Sequence, residues 1–105
     1  MSIGLSAMTE TAYYILLSLV EERHGYGIMQ YVSSITDKRV SLGAGTLYGT
    51  LSKLEKSNWI YSTKEEDKRK YYLITEEGTK VLKSEVLRIE ELYHHGKAVL
   101  LDGRE

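Results

Sequence analysis

Cysteine, proline and phenylalanine are all missing from this 105-residue chain. Without cysteine there is no disulfide framework, no thiolate metal site and no cysteine nucleophile, and a reducing, cytoplasmic setting is expected. Without proline, element boundaries must be made by glycine, asparagine and side-chain caps. The aromatic content rests on nine tyrosines and one tryptophan, Trp59. Most aromatic packing therefore brings a hydroxyl that needs water or a partner. Long hydrophobic runs are missing too: the longest, around Ala12 to Leu17, is far too short to span a bilayer, so no membrane association is expected. Residues 1–11 lack the basic start and apolar core of a secretory signal.

What is present is ordinary for one globular domain: 42% apolar and 28% charged residues, with a net charge of −1. So small a domain buries a modest fraction of its surface and gains from dimerisation. The charge is unevenly spread. Residues 1–37 carry −3, residues 38–70 carry +4 and residues 71–105 carry −2. A positive middle between negative ends suits a compact reader of DNA that turns one face to phosphates. A solvated helix and loop would give the same distribution.

The hydrophobic spacing predicts a first helix from about Glu10 to Val20, capped by Thr9, with Ala12, Leu16, Leu19 and Val20 on one face. After Gly25 a second helix is predicted over Tyr26 to Ile35, burying Ile28, Met29, Val32 and Ile35, with Gly27 allowing a close backbone approach. A third helix, Gly45 to Ser57, carries Leu47, Leu51 and Leu54 as a narrow apolar stripe, and Asn58 is placed to end it in a left-handed conformation. Two β-rich runs follow, Trp59 to Thr63 and Lys70 to Ile74, around an all-charged Lys64 to Arg69 expected to be a solvent-facing loop. Thr75 caps a long fourth helix that ends at His95 or continues to Leu101. Three helices and a hairpin make a winged helix-turn-helix, here residues 1–75. Residues 76–105 add a C-terminal dimerisation helix, giving a mainly α unit with a small β-hairpin.

Four segments carry a resemblance: Leu5-Ser-Ala-Met-Thr-Glu-Thr-Ala-Tyr-Tyr-Ile-Leu, His24-Gly-Tyr-Gly-Ile-Met, Leu42-Gly-Ala-Gly-Thr-Leu-Tyr-Gly-Thr-Leu-Ser-Lys-Leu-Glu and Arg69-Lys-Tyr-Tyr-Leu-Ile-Thr-Glu-Glu-Gly. Together the chain resembles the PadR-type transcriptional regulators, in the small branch with a single C-terminal helix. The resemblance implies a homodimeric repressor of double-stranded DNA, answering to a small aromatic or apolar effector. In some members a tryptophan in the last helix stacks on that effector, but the corresponding position here is Ile89. Ala44 and Asn58 stand where the family often has proline and glycine. The acids Glu65-Glu66-Asp67 replace a basic wing tip, so the tip should turn away from DNA while Lys68, Arg69 and Lys70 approach it.

The expected DNA-binding set is Ser41, Gly43, Ala44, Thr46, Tyr48, Thr50 and Lys53 from the third helix, with Lys68, Arg69, Lys70 and Tyr71 from the wing. Small residues let a helix sit deep in a groove, and threonine methyls and hydroxyls can read base edges. One of Tyr71 and Tyr72 should face inward and the other outward. The expected dimer interface is Ala12, Leu16, Leu82, Val86, Ile89, Tyr93 and Leu100, the last five a near-heptad seam with Gly96. His24 is read as a cap or filler. His94 and His95 diverge on a helix and cannot chelate together, so neither a metal site nor a cofactor is expected. Gly43-Ala-Gly45 lacks the preceding strand and following Gly-Lys of a phosphate loop. Nothing supplies a nucleophile with its base, so no enzyme is expected. The competing reading is a winged-helix module that binds protein instead of DNA, which the acidic wing tip favours and the Thr-rich third helix opposes.

Overall fold

A computed structural model describes residues 7–103 of the chain. Leu5 and Ser6, at the start of the first family-like segment, lie outside the described residues. Helix α1 (Glu10–Ser18) begins where Thr9 Oγ1 accepts from the Ala12 amide at 3.0 Å. It stops two residues earlier than expected. The Ser18 carbonyl accepts from the Arg23 guanidinium, and the Leu19 carbonyl accepts from the Ile74 amide at 2.8 Å. These bonds turn the chain aside, so Leu19 still reaches the core whereas Val20 is exposed. A two-residue strand, β1 (Arg23–His24), follows, which the charge and apolar pattern did not announce.

Helix α2 (Gly25–Ile35) is capped by His24, whose Nδ1 accepts from the Gly27 amide at 3.1 Å. Ile28 and Val32 are buried, but Ile35 is exposed because the helix ends there, in a left-handed turn at Asp37 with φ 53°. The close approach expected at Gly27 belongs to Gly25. A Cβ at Gly25 would overlap the Tyr48 hydroxyl, whereas one at Gly27 meets the His24 ring at an ordinary 3.6 Å.

Helix α3 (Ala44–Lys56) buries Leu47, Leu51 and Leu54. Asn58, at φ 64°, closes it as expected: the Trp59 amide reaches back to the Leu54 carbonyl at 3.0 Å and the Asn58 amide to Glu55 at 2.9 Å. Strands β2 (Ile60–Glu66) and β3 (Arg69–Ile74) pair antiparallel, and β1 joins the other edge of β3, giving the order β1-β3-β2. The expected charged loop is thus strand almost throughout. Glu66 lies opposite Arg69 and Glu65 opposite Lys70, and such opposed charges stabilise a ladder. Only Asp67 and Lys68 turn, both at positive φ (54° and 64°), as a two-residue hairpin of the right twist requires. A register shift between Ser62 and Lys64 bends the wing.

Helix α4 (Glu76–Gly96) starts at Thr75, whose Oγ1 accepts from the Gly78 amide at 2.9 Å, with Glu76 and Glu77 in the favourable first turn. A Cβ on Gly78 would overlap the Trp59 carbonyl, so the missing side chain seats the helix directly on the start of the wing. Past Gly96 the chain widens into one π-helical turn, Lys97–Leu101, closed by a Lys97–Asp102 ion pair at 3.2 Å. The core gathers Ile15, Leu16, Leu19, Ile28, Val32, Leu47, Leu51, Leu54, Ile60, Tyr72 and Leu82. The molecule measures 55 × 34 × 21 Å with a Cα radius of gyration of 15.6 Å, against roughly 13 Å for a compact chain near this length. The excess is α4, which runs out past the core. This is a mainly helical winged helix-turn-helix with a three-stranded antiparallel sheet and a long C-terminal helix.

Candidate nucleic-acid interface

Because leucines claim one side of α3, its opposite side is left to water. There Gly45, Gly49, Ser52 and Lys56 recur at four, three and four residues, all exposed. Apart from chain neighbours and the helix's own backbone, no atom lies within 4 Å of where a Cβ on Gly43, Gly45 or Gly49 would sit, so the glycine half of this face is bare backbone. Ser41, Gly43, Ala44 and Thr46 are exposed beside it. Thr50 is half-buried, and with Lys53 it lines a groove toward α4, off the outermost line. Gly45, Gly49, Ser52 and Lys56 escaped the sequence reading, which followed the threonines. Counting from Gly45 opposite the leucine stripe would have found them.

The wing brings its cations to the flank of α3 that carries Tyr48. Lys68 and Arg69 occupy and follow the turn, and Lys70 is exposed with its Nζ 5.8 Å from the Tyr72 ring. The tyrosine ambiguity is settled by burial. Tyr72 packs into the core, where loss of water raises its hydroxyl pKa, with the Glu55 carboxylate adding to the effect. Tyr71 is half-buried on the other face, between the His24 ring at 5.1 Å and Lys64 Nζ at 4.7 Å. Tyr48 leans on Gly25 and is still half exposed, so it stands in a cleft of about 350 Å³ between α2 and the wing with His24, Lys68, Arg69 and Lys70.

The expected dimer seam divides. Leu16 is fully buried and Leu82 is 5% exposed, because α1 and α4 cross within the protomer and use these two as core. They are therefore not interface residues. Val86, Ile89, Tyr93 and Leu100 are exposed, and Leu92, Val99 and Leu101 join them as large apolar groups facing water. Ala12 is half-buried at the edge of a groove of about 630 Å³. Met8, Leu54, Trp59 and Val81 give this groove apolar walls, and Lys53, Lys80 and Arg88 rim it. Glu85 is buried at its side, taking two hydrogen bonds from Arg88 (2.8 and 2.5 Å) and one from the Met8 amide at 3.3 Å. The Arg88 guanidinium holds this carboxyl below the usual carboxylate range against the opposing effect of burial.

Among the described residues no three His, Asp or Glu side chains gather closely enough to hold a metal ion, and no helix is long and apolar enough to cross a membrane. What the arrangement offers is contact: a bare helix face, adjacent cations and an unpaired apolar tail.

Comparison with known proteins agrees with that geometry. Residues 15–84 match the model of the transcriptional regulator PadR-like family. An uncharacterized protein of Lysinibacillus sphaericus is 33% identical over 90 residues, 76% of this chain and 83% of the relative. The solved structure of a transcriptional regulator from Clostridium thermocellum is similar at 33% identity and a TM-score of 0.68, over 84% of this chain and 87% of that one. A PadR family transcriptional regulator from Eggerthella lenta superposes with a TM-score of 0.73 at 26% identity, over 87% and 81% of the two chains.

Proposed function

The chain belongs to the PadR-like family of transcriptional regulators, and from that membership we propose that it is a cytoplasmic homodimeric repressor binding a pseudo-palindromic DNA operator. The observation that carries this reading is the exposed outer line of α3, Gly45-Gly49-Ser52-Lys56, on a helix whose Tyr48 shares a cleft with Lys68, Arg69 and Lys70 of the wing. A helix face without bulk enters a major groove deeply, and cations next to it neutralise the flanking phosphates. Thr46 and Ser52 reach base edges. Glu66 pairs with Lys64 at 3.7 Å, which offsets its repulsion of DNA.

Dimerisation follows from α4. Val86, Ile89 and Tyr93 on α4, with Leu100 on the π-helical turn beyond it, are a seam for a second copy, and a twofold axis sets two reading helices one DNA turn apart, roughly 34 Å. Occlusion of a promoter by this dimer is repression. A small aromatic or apolar effector suits the groove between α1, α3 and α4, because Leu54 and Lys53 of α3 share it with Val81 and Arg88 of α4. An occupant there acts only if it favours one angle of α3 to α4 over another.

Titration of fluorescent upstream DNA at several salt concentrations tests the reading. Saturable binding with log affinity falling linearly in log salt supports it. No saturable binding at low salt overturns it in favour of a protein-binding module. Trp59, half-buried in the groove, reports effector occupancy by its fluorescence.

A further inference from the structure

His24 makes two contacts that one neutral imidazole cannot satisfy together. Its Nδ1 accepts from the Gly27 amide at 3.1 Å, and its Nε2 lies 3.2 Å from Nη1 of Arg69. A neutral ring has one bare nitrogen and one N–H. The guanidinium is always protonated, so it can only donate. If Nδ1 is the acceptor that caps α2, Nε2 bears the hydrogen and faces another donor. The cap satisfies a backbone amide that α2 itself cannot pair, whereas Arg69 is exposed and free to turn to water. The cap therefore sets the tautomer, leaving two donors 3.2 Å apart that cannot satisfy each other, both at the edge of one space.

That space is the cleft of about 350 Å³ between α2 and the wing, where Lys68 and Lys70 add positive charge and Tyr48 adds a hydroxyl. Its carboxylate, Glu65, lies across the hairpin from Lys70. The Tyr71 ring stands edge-on to His24 at 5.1 Å and holds the imidazole in place. An anionic oxygen seated here takes hydrogen bonds from Nε2–H and from the guanidinium at once and removes the conflict. We propose that His24 and Arg69 clamp a single backbone phosphate of the bound DNA, with His24 acting through its Nε2–H tautomer. This rests on the DNA-binding reading above and adds to it a neutral, orientation-fixing contact from outside both α3 and the basic run of the wing.

His24→Asn tests it, because asparagine keeps an acceptor for the Gly27 amide and loses the distant donor. The expected result is an unchanged Tm, about tenfold weaker operator binding and an unaltered salt slope, since a neutral donor releases no counterion. Arg69→Ala weakens binding and lowers the slope by about one. In the double variant the two losses are not additive, because both residues serve one phosphate. Replacing that phosphate with an uncharged methylphosphonate makes wild type and His24→Asn bind alike. Independently of any variant, ¹⁵N NMR of the complex shows Nδ1 bare and Nε2 protonated. Wild-type affinity in His24→Asn, additive losses, or an Nδ1–H tautomer in the complex overturns the clamp while leaving DNA binding intact. Failure of the wild-type chain to bind DNA overturns the clamp together with the reading beneath it.

Discussion

The outer face of α3 with the wing, and the outer half of α4 with the π-helical turn beyond it, are both exposed to water, but with opposite chemistry. The first presents glycine, serine, threonine and lysine, groups that lose little by being wet. The second presents Val86, Ile89, Leu92, Tyr93, Val99, Leu100 and Leu101, with Leu100 80% exposed. Apolar surface of that extent on a protruding helix is stabilised only by an apolar partner. A polar, backbone-rich face next to cations is complete in water and gains a partner through charge. One end thus suits assembly and the other recognition, and each can be perturbed separately.

The largest effect is expected at the tail. Ile89→Asp places a carboxylate in the proposed seam, and a twofold axis counts the substitution twice. The dimer dissociation constant should rise by roughly 100-fold or more, taking about 1.5 kcal/mol per buried copy. Sedimentation should show monomers with an unchanged helical circular dichroism spectrum. A dimer that survives with wild-type affinity would put the interface on another surface.

Next comes a substitution that separates stability from recognition. Gly49 sits in the middle of α3 with open space where a Cβ would go, so Gly49→Leu should stabilise the fold by roughly 0.5–1 kcal/mol. The same leucine stands on the face that would enter the groove, and operator binding should fall by about 100-fold. A raised Tm with lost binding sharpens the contrast between the ends. Retained binding would move the recognition surface off the glycine line. Lys68→Ala is milder: a few-fold loss shared by all DNA sequences, with the salt slope reduced by about one if the side chain meets a phosphate.

How much of this was legible beforehand depends on which forces act locally. Thr9, Thr75 and Asn58 were readable as boundaries because a cap is a contact between residues a few positions apart. The leucine stripe of α3 was readable from its period. The wing was harder. Six consecutive charged residues look like a loop until their partners across the hairpin are known, and Glu66–Arg69 and Glu65–Lys70 are opposed only in the folded register. Leu16 and Leu82 were assigned to the interface because periodicity marks a buried side without saying whether the protomer or a second copy buries it. Strand β1 has two residues and no pattern, and it exists because β3 offers an edge to Arg23 and His24. The cap made by His24 was readable locally, whereas its contact with Arg69, forty-five positions away, lies beyond the reach of any local rule.

The smallest effect lies where the two ends meet. Glu85, buried beside the groove, joins α4 to the start of α1 through the Met8 amide and is held in its charged form by Arg88. Its carboxyl is shifted below the ordinary value in the folded protein. The stability it contributes is therefore fully present above the unfolded carboxylate pKa, near 4.3, and is lost as pH falls through the lower folded value. Glu85→Gln removes that dependence. Near neutral pH the variant should melt slightly below wild type, since Arg88 loses a charged partner, and the gap should close in acid as the wild-type carboxyl takes up its proton. A gap that persists unchanged at low pH would mean that Glu85 acts through packing alone, and that the ion pair contributes nothing to holding α4 against α1.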